Sequence, residues 1–152
     1  MDIDLSNCSL FEYQLDHFKI KNINNIEDKK AWESIQLLSD KNLNNNIPQD
    51  FFDTVFNQSF SFIQDRVFFA QCKFTNNLIG TCSAWESNGV GRLHWLAVLP
   101  EYQRKGIGTT LIQECLNRFL KLQYKKVFLH TWSNKCDAIR LYKKFNFSTN
   151  QI

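Results

Sequence analysis

The chain has 152 residues, 43% of them hydrophobic, which suits one compact domain over residues 1–152 with a core of its own. A net charge of +3 is too small by itself to imply nucleic-acid binding, and five cysteines without a C-x-x-C pair (Cys8, Cys72, Cys82, Cys115, Cys136) suggest neither a disulfide framework nor a bound metal. No apolar run approaches the ~20 residues that span a bilayer. No charged-then-apolar leader opens the chain, so a cytoplasmic protein with reduced thiols and no membrane partner is expected.

Phe11, Tyr13, Leu15, Phe18 and Ile20 partly alternate and predict a first strand behind a loose arm. A helix is expected from about Asn25, with Glu27 and Asp28 in its first turn and Trp32, Ile35 and Leu38 on its inner side. The Asn-rich stretch 40–49 reads as a loop, and Pro48 is placed to begin the next helix, where Phe52, Val55, Phe56, Ser59 and Phe60 recur at helical spacing. Eight of the fourteen phenylalanines lie between Phe51 and Phe74, which reads first as core. Residues 66–75 and 78–85 predict two strands joined at Asn76-Asn77, and Asn88-Gly89 marks a second hairpin turn.

Residues 93–99 are apolar apart from His94, as in a strand covered on both faces, and Pro100 ends it. Beyond a turn, Ile107, Leu111, Ile112, Cys115, Leu116 and Phe119 share one helix face. Residues 126–132 predict the next strand, parallel to the 93–99 strand through a right-handed helical crossover. A last helix is capped by Ser133 or Asn134, buries Ala138, Leu141, Tyr142 and Phe145, and closes on Asn146 in the left-handed conformation.

The junction 103–109 has the make-up of an anion site. The first N–H groups of a helix lack intrahelical partners, Gly106 and Gly108 let a ligand approach the backbone, and Arg104 and Lys105 add charge. A P-loop would end in Gly-Lys-Ser/Thr, whereas Gly108 is followed by Thr109; the dinucleotide fingerprint needs a third glycine where Leu111 stands. Residues 101–145 hold ten Lys or Arg against three Asp or Glu, a balance that suits an anionic ligand as well as a solvated basic face.

Val98, Pro100 and Gln103-Arg104-Lys105-Gly106-Ile107-Gly108 resemble the Q/R-x-x-G-x-G/A signature of the GCN5-related N-acetyltransferases. Ser133-Asn134, Ala138-Ile139, Leu141-Tyr142 and Phe145-Asn146-Phe147 resemble that family's later segment, with Asn146 in place of glycine. The resemblance implies an α/β fold: a mixed, mostly antiparallel sheet whose two parallel central strands splay around acetyl-CoA, flanked by helices. It implies acetyl transfer from acetyl-CoA to a primary amine, a small molecule or a peptide, with no metal and no nucleic acid.

By the same resemblance, Gln103, Arg104, Lys105, Gly106, Ile107, Gly108 and Thr109 hold the pyrophosphate, and Leu96, Ala97, Val98 and Asn134 hold the pantetheine arm. Tyr142 serves the leaving thiolate, and the base is His94 or His130, with Glu86 as a third choice. Nothing beside Cys72 or Cys82 in sequence marks an activated thiol, so direct attack is favoured over an acetyl-cysteine route. The family normally has further strands beyond the last helix, and only five residues follow Phe147. A short sheet edge is therefore expected, with a second copy of the chain as the candidate to complete it. A non-catalytic acyl-CoA-binding or partner-binding domain is the alternative reading.

Overall fold

The computed structural model describes residues 1–12, 16–43 and 47–149. Six strands form one sheet in the order β1-β6-β5-β4-β3-β2: β1 (Asp2–Asp4), β2 (Phe18–Asn22), β3 (Val67–Cys72), β4 (Leu78–Ser87), β5 (Val90–Val98) and β6 (Lys126–Phe128). Every adjacent pair is antiparallel except β5 and β6, which run parallel as the crossover requires. The helices are α1 (Ile26–Ser39), α2 (Phe51–Val55), α3 (Phe60–Gln64), α4 (Ile107–Lys121) and α5 (Cys136–Lys144). Among them none is long and apolar enough to cross a membrane.

The strands β3, β4 and β5 form the meander expected from the turn residues. Asn88 and Gly89 both take positive φ, 52° and 77°, the backbone of a two-residue hairpin whose twist matches its strands. The β3–β4 turn is longer: Cys72 N donates to Asn77 O at 2.9 Å, and Asn76 takes the left-handed conformation at φ 60°.

Alternation in β3 explains why the sheet is buried on both faces. Phe68 and Ala70 enter one core with α4 and α5; Val67 and Phe69 enter the other with α1 to α3. The α4 face meets the first core as its spacing predicts, with Ile107, Leu111, Ile112, Cys115, Leu116 and Phe119 all buried. Trp32 centres the second, its ring edge-on to Phe51, Phe52, Phe56 and Trp95 at 4.9 to 5.5 Å.

Several boundaries differ from the sequence expectation. Asn25 caps α1 by accepting from Asp28 N, yet Leu38 is 62% exposed and Gln36 takes the inward place instead. Pro48 precedes α2, which starts at Phe51 after Asp50, and the phenylalanine run splits into two five-residue helices. The strand predicted over 126–132 pairs only as far as Phe128, and α5 starts after Lys135 with neither Ser133 nor Asn134 capping it. Asn146 does close α5 in the left-handed region, at φ 67°.

The loose arm expected before the first strand is instead anchored. Asp2, Ile3 and Asp4 pair with Phe128, Val127 and Lys126, and Ile3 and Leu5 enter the first core. Farther on, Asn117 Oδ1 accepts from Phe11 N at 2.7 Å and Asn117 Nδ2 donates to Phe11 O at 2.9 Å. Tyr13 and Leu15 lie outside the described residues. The sheet edge beside β6, expected to stand unpaired, is thus occupied by β1, whose own outer side bridges Ser148 through Asp2. The β6 strand is paired on both sides within the chain, by β1 and β5.

Candidate active site

The site begins with one extra residue. Thr81 pairs with Ala97 and Ser83 with His94, so three steps along β5 face two along β4, and a β-bulge results. Trp95 sits in it at φ 54°, a left-handed backbone that costs a bulky residue on the order of 1–3 kcal/mol. The surroundings hold it there: Trp32 and Phe51 flank its ring at 5.5 and 5.4 Å, and Gln36 Nε2 donates to its carbonyl at 3.0 Å.

The bulge turns β5 away from β6. Their parallel pairing covers only Gly91 with Val127 and Arg92 with Phe128; past it, Leu129 N donates to Met1 O. A cleft of about 1100 Å³ opens between 93–98 and 130–132. Ala97 and Leu99 turn their backbone toward β4, with Leu99 N donating to Ile79 O at 2.8 Å, so alternation turns Leu96 and Val98 toward the cleft. Accordingly Val98 O accepts from Ser39 Oγ at 3.1 Å and from Gln103 Nε2 at 3.0 Å, both from cleft residues.

The turn after β5 brings the start of α4 to the same cleft. Gly106 precedes the helix at φ 83°, a conformation that favours glycine, and no side chain caps the first turn. Its leading N–H groups therefore remain available to an anion. Gln103, Arg104, Gly106, Gly108 and Thr109 line the cleft, whereas Ile107 points into the core and Lys105 lies over the Tyr102 ring at 5.6 Å. For those last two only the backbone is placed to contribute. An ion pair of Lys135 with Asp40, 2.9 Å, ties the start of α5 to the end of α1, and both residues line the cleft. Its hydrogen bond holds the Asp40 carboxyl below its usual pKa.

Tyr142, His94, His130 and Asn134 all reach this cleft. Tyr142 is 7% exposed, and burial, reinforced by Cys82 and Cys115, pushes its hydroxyl pKa up, so the phenol is protonated at neutral pH. Glu86 is elsewhere, accepting a hydrogen bond from Tyr124, and neither Cys72 nor Cys82 lines the cleft. Sequence reasoning missed Gln36, Ser39 and Arg92. The first two were legible as polar members of the spacing Trp32, Ile35, Gln36, Ser39, which marks the inner side of α1. Among the described residues no group of three or more acidic, His or Cys side chains could hold a metal ion.

His94 packs beside the Trp95 and Phe56 rings, at 5.5 and 6.3 Å. Burial, then Arg92 and His130, lower its pKa to about 3. The folded chain keeps it neutral above that pH, while the unfolded chain protonates it near 6.5, so stability falls as pH drops from 6.5 toward 3. His94→Gln is expected to flatten that fall by about 1.4 kcal/mol per pH unit in denaturant titrations. An acid limb as steep as wild type would mean that His94 is charged in the fold.

Comparison with known proteins agrees with this geometry. The Acetyltransferase (GNAT) family profile matches residues 32–147. An N-alpha-acetyltransferase of Saccharolobus solfataricus is 36% identical over 64 residues, 41% of this chain and 38% of that protein, so the chain matches well under half of that relative's length. Among solved structures, a GCN5-related N-acetyltransferase from Sphaerobacter thermophilus superposes with a TM-score of 0.76 at 18% identity, over 95% of this chain and 45% of that one. The ribosomal-protein-S18-alanine N-acetyltransferase from Escherichia coli gives 0.69 at 18% identity, over 88% and 79%. Such identities speak for the fold; with the family match over 32–147 and the bulged strand leading to a glycine turn, they show that the chain belongs to the acetyltransferase (GNAT) family.

Proposed function

We propose that the protein transfers an acetyl group from acetyl-CoA to a primary amine by direct attack in a ternary complex. One observation carries the reading: a single cleft joins the uncapped start of α4, the outward backbone of β5 past its bulge, and the buried hydroxyl-bearing residue Tyr142. The residues fit acetyl-CoA as substrate. Backbone N–H groups from Gly106 to Thr109, with Arg104, suit its phosphates; Leu96 and Val98 suit the amides of its arm as an added strand would, with Asn134 opposite.

In the transfer, the amine nitrogen attacks the thioester carbonyl and the carbon–sulfur bond breaks. The Val98 N–H is the donor for the carbonyl oxygen, and the Tyr142 hydroxyl donates its proton to the departing thiolate. The amine's own proton leaves toward the face that holds His94 and His130. His94, with its lowered pKa, is a weak base, so His130 or a water chain between the imidazoles takes the larger share.

The alternative of an acyl-CoA-binding domain without chemistry is weaker, because the cleft brings together a proton donor and two imidazoles. Thiol release from acetyl-CoA across a panel of small amines, amino acids and peptides tests the reading. It predicts release above hydrolysis with some amine, with the acetylated product detected by mass. Release at the hydrolysis rate throughout, by protein that binds acetyl-CoA, would favour the binding domain.

A further inference from the structure

Arg92 is one of the polar residues of the cleft that the reaction above leaves unused. It alternates with His94 along β5, so both side chains leave the same face of the strand. The register that sets Arg92 beside Phe128 puts His130 two residues farther along on that face too, with its ring 5.4 Å from Phe128. Arg92, His94 and His130 therefore stand around the point where the two strands part, and all three line the cleft.

Among the described residues its guanidinium has no counter-charge. The cleft's Arg104 and Arg140 share Asp137, and Lys135 holds Asp40, whereas among the described residues Arg92 pairs with no carboxylate. Its Nε is buried without a hydrogen-bond partner, and its guanidinium faces the Phe128 ring 5.7 Å from the centroid. Burying a donor with nothing to receive its proton is costly, and an arginine cannot escape the cost by deprotonating. Its charge also opposes proton uptake by His94 beside it. A bound anion on Arg92 would relieve both costs at once.

That anion does not belong to the coenzyme's pyrophosphate. Arg92 lies near the start of β5 and the α4 turn follows its end, six residues or roughly 20 Å of strand away. We infer that Arg92 anchors a carboxylate carried by the amine acceptor itself, so that the acceptor is recognised at two points, amine and anion. The inference rests on the acetyltransferase reading and narrows it. A planar guanidinium offers paired N–H groups in the geometry of a carboxylate. The carboxylate belongs either to a free amino acid or to an acidic side chain close behind an N-terminus, two acceptors that differ in how far the anion lies from the amine.

Titrating acceptors into the protein saturated with free CoA tests this without any turnover. Phenylalanine is compared with phenylalaninamide, and aspartyl-phenylalaninamide with asparaginyl-phenylalaninamide, so that the first pair probes a free amino acid and the second a peptide. The expected result is that one carboxylate member binds about tenfold or more tightly than its amide. Arg92→Gln should erase the preference, Arg92→Lys should keep part of it, and the amide's affinity and that of CoA should stay as in wild type. Equal affinities within both pairs, no binding of either pair by CoA-loaded protein, or a preference that survives Arg92→Gln would overturn the proposal. Failure of CoA itself to bind marks the different failure, that of the acetyltransferase reading, and the proposal falls with it. Thermal melts of both variants exclude unfolding as the cause.

Discussion

Tyr142→Phe is expected to lower kcat by about 10²-fold or more while leaving stability and acetyl-CoA affinity near wild type. The ring stays edge-on to Phe147 at 5.9 Å and remains in the first core, so only the hydroxyl is lost. That hydroxyl is buried with its pKa pushed up, so it carries its proton at neutral pH and is available as a donor. The thiolate formed as the carbon–sulfur bond breaks meets that O–H, and without a donor it leaves as an uncompensated charge. Steady-state kinetics with an amine found in the thiol-release panel separates the outcomes. A kcat equal to wild type would reduce Tyr142 to packing.

Trp32→Ala is expected to cost about 3–5 kcal/mol, the upper range for a large-to-small core change. Trp32 is fully buried and touches four other aromatic rings, so the cavity left has rigid walls that cannot close over it. Out of a total stability of about 5–15 kcal/mol, that is a large share. The loss also bears on the site, because Trp32 is one of the two rings that hold Trp95 in its left-handed backbone. The indole N–H of Trp32 is buried without a partner, so Trp32→Phe removes that unpaired group with part of the volume and costs less than the alanine. Equilibrium unfolding in denaturant reads both; a loss under 1 kcal/mol for Trp32→Ala would mean the second core does not depend on this ring.

Features written within a few residues were legible in the sequence. Asn88-Gly89 dictates its hairpin, Asn25 caps its helix, and the apolar spacing from Ile107 to Phe119 gives the buried face of α4. The glycine turn and the tyrosine helix were found the same way, and the structure brings them to one cleft. Distant pairings were not legible. The edge strand β1 is three residues long and meets β6 more than a hundred residues later, although the alternation Asp2, Ile3, Asp4, Leu5 carried a faint sign of it. The bulge left no sign either, since a tryptophan in left-handed backbone runs against propensity and is held by packing from α1 and α2. Arg92 escaped notice because its meaning lies in a missing partner, and no sequence shows which charges go unpaired.

Calorimetric titration with acetyl-CoA tests the central claim most directly, that the cleft parted by the bulge is an acyl-CoA site. The account predicts saturable binding at one site, retained in part by adenosine 3′,5′-bisphosphate, weakened by added salt and weakened further by Arg104→Glu at the start of α4. Folded protein that takes up no acetyl-CoA, or binds it equally well after Arg104→Glu and in high salt, would contradict it.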